Sequence, residues 1–213
     1  MKIAILGSTG FVGKVLVEKA LDQGHEVKTL VRTPDKLGVL KNRLDVIQGD
    51  YFNAADLEKT VKGTKAVIST VGPPMKNPKT PEKYEQSMQY LANAMERQSI
   101  TRLIHTGGSV HSGGEDEHWT LGRRMLKLFL LLFWKPGLEA KRLEWEVLKK
   151  SNLDWTLVRP PRIIEGKSKS KLHADEKNLA SVQVNVENLV EFMLEQLTST
   201  QWIKKAPLVA RGY

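Results

Sequence analysis

The sequence contains no cysteine. That excludes a disulfide framework, thiolate-held zinc or iron–sulfur centres and a cysteine nucleophile, and it fits a reducing, cytoplasmic compartment. Long apolar runs are also missing. The greasiest stretch, Leu128–Trp134, is seven residues long, against about 20 for a spanning helix, so no integral membrane segment is expected. Only four apolar residues, Ile3-Ala4-Ile5-Leu6, separate Met1-Lys2 from Gly7, whereas a secretory signal needs an apolar region of about 7–15. The five histidines form neither a His-Glu-x-x-His pattern nor a close imidazole pair, so no metal site is expected. A Gly-x-Ser-x-Gly elbow is lacking too. Basic residues are not interleaved with aromatics as a nucleic-acid groove requires, and no nucleic-acid partner is expected.

What is present describes an ordinary globular protein. The 213 residues, 40% apolar and 27% charged, suit one domain over 1–213 that buries a sizeable core. Lys and Arg number 33 against 24 Asp and Glu, a net charge of +9, which points to an anionic partner. Much of the excess is local. Between Arg123 and Lys150 eight basic residues face three acidic ones, a balance of +5. Leu128–Trp134 lies inside this stretch and reads as a helix buried in the core or in a homodimer interface. An interfacial helix on a membrane is the lesser alternative.

Strand and helix patterns alternate along the chain. Ile3–Leu6, Val27–Val31, Leu44–Gln48, Lys65–Thr70, Arg102–Thr106 and Trp155–Val158 read as strands. Helices are expected from Phe11 to Leu21, from Asn53 to Gly63, from Thr80-Pro81-Glu82 to about Gln98, over about 116–134 and 138–150 with Pro136-Gly137 between them, and over Glu187–Leu197. The polar segment 166–178 reads as a loop or edge, and Pro207–Ala210 as a last strand. Repeated strand–helix–strand units predict an α/β fold of the Rossmann type, a doubly wound parallel sheet with helices on both faces. Residues from about 107 to 213 would supply its substrate side.

The first turn carries the chemistry. Gly7-Ser8-Thr9-Gly10-Phe11-Val12-Gly13 joins the first strand to the first helix with a glycine at every third position. These glycines suit a tight turn, a backbone that approaches a pyrophosphate, and close helix–strand packing, with the helix N-terminus facing the phosphates. The second strand ends in Val31-Arg32-Thr33. A carboxylate there would bind the ribose hydroxyls of NAD, whereas a cation suits the 2′-phosphate of NADP. Lys36 follows one turn on. Asp50, in Gly49-Asp50-Tyr51, is either an acceptor for the adenine amino group or a turn residue. Thr70-Val71-Gly72 ends the fourth strand at the carboxyl edge, where such sheets bind ligands. His105 lies inside the fifth strand and reads as a core residue.

The glycine turn, Arg32, Gly49-Asp50, the strand end Arg102–Gly108 and the run Leu153-Asp154-Trp155-Thr156-Leu157-Val158-Arg159-Pro160-Pro161 together resemble an atypical short-chain dehydrogenase/reductase. Similar proteins are the NAD(P)H-binding group of NmrA-like proteins, flavin reductase and biliverdin reductase B. The resemblance implies a dinucleotide site built from residues 7–13, Arg32, Asp50 and Tyr51, with Thr70, Val71 and Gly72 beside the adenosine ribose. It implies that Thr106, Gly107, Gly108 and Pro160 lie by the nicotinamide and that Lys141 contacts the nicotinamide ribose.

The departures from the family pattern narrow the chemistry. The proton-donating tyrosine of a standard member stands four residues before the lysine, where this chain has Gly137. The serine place reads Gly107-Gly108, with Ser109 next. Lys141 and Ser109 remain as catalytic candidates, and His111 is a further loop residue. Proton-assisted carbonyl reduction is therefore not expected. Hydride transfer from NADPH to a small flat acceptor such as a flavin, quinone or tetrapyrrole asks less of the protein. The alternative is an NmrA-like sensor that binds NADP(H) without turnover.

Overall fold

Ile3, Ala4, Ile5 and Leu6 are all buried, since a parallel strand covered on both faces has no solvent side. The structure, a computed structural model, describes residues 1–110, 118 and 120–212. Among these, the chain runs β1 (Lys2–Leu6), α1 (Phe11–Asp22), β2 (Glu26–Val31), a 3-10 stretch (Pro34–Arg43), β3 (Asp45–Gln48), α2 (Ala54–Val61), β4 (Ala66–Ser69), α3 (Pro81–Arg97) and β5 (Arg102–Thr106). It continues through α4 (Leu121–Phe133), α5 (Lys135–Lys150), β6 (Asp154–Val158), β7 (Arg162–Ile164), β8 (Leu172–Asp175), β9 (Gln183–Asn185), α6 (Val186–Glu195) and β10 (Leu208–Arg211).

Strands β1 to β6 form one parallel sheet in the order β3-β2-β1-β4-β5-β6. The order reverses between β1 and β4, the switch point at which doubly wound sheets open a crevice beyond their carboxyl ends. Leu6 is level with Leu30 and Ser69, and Thr106 with Val158, so the strand ends share one rim. Alternate residues feed two cores. Ala4, Leu6, Val67 and Leu103 lie under Met88, Leu91 and Met95 of α3 and Leu148 of α5. Ile3, Ile5, Ile68 and Ile104 pack against Leu16 and Val17 of α1 and Leu189 and Met193 of α6. Asn53 caps α2 as expected, its side chain accepting from the Asp56 N–H at 3.1 Å.

Several boundaries differ from expectation. Pro136-Gly137 does not separate two helices but lies in the first turn of α5, where a proline gives up no intrahelical hydrogen bond. The break falls at Trp134 (φ −145°, ψ 31°), whose indole covers Gly137 so closely that any Cβ there would overlap it. The segment 166–178 holds an edge strand, β8, paired antiparallel with β10. β7 and β9 pair in parallel across twenty-odd residues, and three-residue strands leave no periodic trace. The apolar helix is the largest correction. α4 is not in the core: Leu130 is half-buried and its other Leu, Met and Phe side chains face solvent, which removes the core alternative and leaves the homodimer-interface one standing.

Candidate functional site

Gly7 sits at φ +87°, and a Cβ on it would stand 2.6 Å from Thr70 Oγ1 and 3.1 Å from Val71 N. Glycine thus lets the ends of β1 and β4 meet. A Cβ on Gly13 would overlap Gly7 O, so glycine also brings α1 close to β1. Gly10 N donates to Gly7 O at 2.9 Å and closes the turn. No side chain caps α1, and its first turn carries no acidic residue. Its leading N–H groups and positive end are left for an anion.

Beyond this turn opens a cleft of about 370 Å³ lined by Gly7, Thr9, Gly10, Arg32, Asp50, Tyr51, Thr70, Val71 and Gly72 among others. The structure therefore gathers nine of the expected dinucleotide residues around one space. Asp50 is the turn residue, its Oδ1 accepting the Phe52 N–H at 3.1 Å, and it also lines the cleft. Tyr51, Phe52 and Tyr84 form an edge-to-face series, with centroids 5.6 and 5.2 Å apart, that walls the Arg32 end. Pro74, Asn77, Lys79 and Tyr84 also line the cleft. The first three escaped sequence reading because the loop after β4 has no periodicity to say where it folds back, and Tyr84 because helical spacing does not say that the first turn of α3 meets the cleft. Lys36 is exposed and does not line the cleft.

The remaining expected residues contribute otherwise. Ser8 is buried, its Oγ 2.7 Å from Thr29 Oγ1, so only its backbone is free for a ligand. Phe11 is exposed and Val12 packs into the α1–α6 core, so these too offer backbone alone. At the β5 end, Gly107 N donates to Val158 O at 2.7 Å, and Gly107 and Gly108 are half-exposed. Ser109 is buried where its N–H meets Pro160 O at 3.1 Å and its carbonyl accepts from Arg123 Nε at 2.6 Å. His111 lies outside the described residues, as do Gly113 and Gly114. Arg159 is buried too, its Nε donating to Ala206 O at 2.7 Å and its guanidinium 5.4 Å from the Trp145 ring, so it pins the end of β6.

Lys141 closes the cleft behind Gly72, where a Cβ would lie 3.4 Å from Nζ. Its Nζ donates to Val71 O at 3.0 Å and Thr106 O at 2.9 Å, the carbonyls just past β4 and at the end of β5. Glu144 Oε2, one turn along α5, is 2.9 Å away, and His105 Nε2 is 3.4 Å from both. Sequence reading missed this cluster. His105 is a buried residue as expected, yet it belongs to a charged group. The Lys141–Glu144 spacing is a visible helical pair, but nothing local signals its burial.

Burial, then the Lys141 charge, holds His105 below its ordinary value near 6.5, so its ring is neutral at pH 7. Burial opposes ionisation of Glu144, but Lys141 and His105 outweigh it and hold the carboxyl below its ordinary value near 4.5. In both groups the unfolded chain binds protons more readily than the folded one. Stability is therefore retained above pH 6.5 and falls as pH drops, first through the imidazole and then through the carboxylate. Calorimetric melts should be level between about pH 7 and 8 and decline from about pH 6.5 downward. His105→Gln should lessen the fall above pH 5, leaving the part contributed by His25, which burial also holds below its ordinary value. A melting temperature unchanged between pH 7 and 5.5 would contradict the assignment.

The sheet order, with a glycine turn at its switch point and a cation closing the cleft, defines a Rossmann-fold dinucleotide-binding protein. Residues 7–200 match the NAD(P)H-binding family, and the chain belongs to it. It is 35% identical to eugenol synthase 2 of Clarkia breweri over 80 residues, 33% of this chain and 26% of that protein. It is 22% identical to tetraketide alpha-pyrone reductase 1 of Arabidopsis thaliana over 188 residues, 76% of this chain and 57% of that one. The chain thus spans little more than half, or less, of the curated relatives it matches. Among solved structures, a short-chain dehydrogenase/reductase of Veillonella parvula in complex with NADP superposes with a TM-score of 0.80 at 19% identity, covering 99% of this chain and 94% of that one. ChuY, named an anaerobillin reductase, from Escherichia coli O157:H7 gives 0.82 at 17% identity, covering 99% and 97%. At such identities these two show the fold.

Proposed function

We propose that the protein is an NADPH-dependent reductase of a small, flat acceptor of the flavin, quinone or tetrapyrrole kind. The observation that carries it is one cleft with Arg32 at one end and Lys141 behind the other. The chain's groups fit such a cofactor: a glycine turn drawn tight against the end of β4, an uncapped helix start, an aromatic wall and two flanking cations. A bound reduced nicotinamide would supply the hydride. Arg32 would grip the 2′-phosphate, with Lys79 as a second cation, and Asp50 would accept from adenine. The first turn of α1 would hold the pyrophosphate. Lys141 would turn one N–H to the nicotinamide ribose in exchange for one of the three acceptors it meets here, Val71 O, Thr106 O and Glu144 Oε2.

The acceptor class follows from what surrounds Lys141. One turn before it stands Gly137 under the Trp134 ring, and Ser109 is buried. An acceptor with little need of a protein proton suits that setting. The reductases among the relatives support the reaction type. The absent tyrosine equally favours a sensor without turnover, and the two diverge in one assay. NADPH oxidation with FMN, quinones and biliverdin is expected. No turnover with any of them, alongside a partner bound only in the presence of dinucleotide, would leave the sensor.

Arg32→Asp is expected to weaken NADPH binding about 10- to 100-fold, the value of one or two charge-assisted hydrogen bonds, and to bring NADH level with it or ahead. Lys79→Ala should give a smaller loss in the same direction. Fluorescence titration of both cofactors reads the outcome. Parent protein that binds NADH as tightly as NADPH would refute the preference.

A further inference from the structure

We propose that α4 docks the protein on an anionic phospholipid surface. This is independent of the cofactor assignment. Among the described residues α4 is built inside out. Leu121 is 77% exposed, Leu132 70%, Phe133 69% and Met125 59%, whereas Arg123 is 1% exposed. At 100° per residue the exposed apolar positions, from Leu131 round to Leu126, sweep about 220° of the helix, interrupted by Arg124 and Gly122. The side turned to the protein carries Arg123, Lys127 and Leu130, each buried or half-buried. A core-facing helix needs its apolar stripe against the protein. This one points the stripe away.

Three observations select lipid over a second copy. The first is the width of the face. Another helix covers a seam of about 100°, and a flat partner leaves the flanks of a 220° arc wet, whereas acyl chains wrap it. The second is charge. The chain carries +9 in all, and exposed Arg124 and Lys135 border the face at either end. A second copy would bring like charge to like, while an anionic headgroup layer is complementary. The third is length. Thirteen residues span about 20 Å, too short for a bilayer core of about 30 Å but sufficient to lie in its surface. No helix among the described residues is long and apolar enough to cross a membrane.

The docking face also adjoins the cleft. Arg123 Nε donates to Ser109 O at 2.6 Å, and Trp134 Nε1 donates to Pro74 O at 3.0 Å. The two ends of α4 are thereby tied to the loop after β5 and to the loop lining the cleft.

The test uses the full chain and vesicles of phosphatidylcholine, alone or with roughly 30% phosphatidylglycerol. Co-sedimentation is expected with the anionic vesicles at low salt, weakened but not abolished in about 0.5 M salt, because apolar insertion is not screened. The double variant Leu132→Glu, Phe133→Glu should lose about tenfold or more of the vesicle-bound fraction. Both residues are exposed, so its melting temperature and NADPH titration should match the parent. Absence of retention on either vesicle would overturn the proposal, as would retention that the double variant keeps. A dimer in light scattering that the same variant dissociates, with no vesicle binding, would give the face to a second copy instead.

Discussion

Glu144→Ala is expected to melt roughly 6–20 °C below the parent, while Glu139→Ala on the same helix should melt within about 4 °C of it. Both glutamates pair with a cation three residues away on α5. Glu144 reaches Lys141 at 2.9 Å with its side chain 1% exposed, whereas Glu139 reaches Arg142 at 2.7 Å with side chains 44% and 52% exposed. Spacing and distance are matched, so burial is the variable. The exposed pair contributes about 0.2–1 kcal/mol, since water solvates either charge once the other is gone. Removing Glu144 leaves the Lys141 ammonium without its counter-charge among buried neighbours, at a cost of about 3–5 kcal/mol. For a domain of this size each kcal/mol moves the melting temperature by about 2–4 °C. The double variant Glu144→Ala, Lys141→Met should regain most of the loss, because the penalty lies in the orphaned charge. Equal melting temperatures for the two single variants would refute this account of the cluster.

That cluster also marks the limit of what the sequence could say. The sheet was legible because its parallel strands, the edge strand β3 apart, are buried on both faces and read as short, largely apolar runs. β5 falls where Arg102–Thr106 was expected. The glycine turn was legible because its spacing is a local signature; the crowding at Gly13 comes from within the turn, whereas that at Gly7 comes from Thr70 and Val71 at the end of β4. Burial of a charged residue has no such local cause. Glu144 and Glu139 look alike in sequence, and only the packing of α5 onto α3 and β5 separates them. The core reading of α4, one of the alternatives for that helix, fails for the same reason. Periodicity reports that a helix has an apolar side but not which way that side turns, and an apolar helix is assumed to face inward until its neighbours are known. Asp50 shows a third case: the turn reading holds, since its Oδ1 accepts the Phe52 N–H, and a carboxylate with two oxygens can hold that turn and still border the cleft.

Gly7→Ala should separate the geometry of the turn from its proposed purpose. Two glycines make the comparison. Gly7 and Gly63 have nearly the same backbone, φ +87° and +79°, so an alanine at either meets the left-handed strain of about 1–2 kcal/mol. Around Gly63 no atom lies within 4 Å of the added Cβ. Around Gly7 the Cβ meets Thr70 Oγ1 at 2.6 Å and the backbone of Thr70 and Val71 at 3.1 Å. A hydroxyl can rotate away, but the start of the loop after β4 cannot move without parting from β1. Overpacking of this kind adds about 1–3 kcal/mol. Gly7→Ala is therefore expected to cost roughly 2–5 kcal/mol against about 1–2 for Gly63→Ala, read from denaturant melts. The binding readout is independent of that difference. If the first turn of α1 holds the pyrophosphate, an alanine that pushes this turn from Val71 misplaces its N–H groups by a fraction of an ångström to an ångström, and NADPH affinity or turnover should fall on the order of 100-fold. Gly63→Ala, at the far end of α2 from the cleft, should bind as the parent does. A Gly7→Ala protein that is less stable yet binds NADPH normally would keep the turn's geometry and move the dinucleotide elsewhere. One that is as stable as Gly63→Ala would mean that the ends of β1 and β4 are less closely joined than the contacts at Gly7 require.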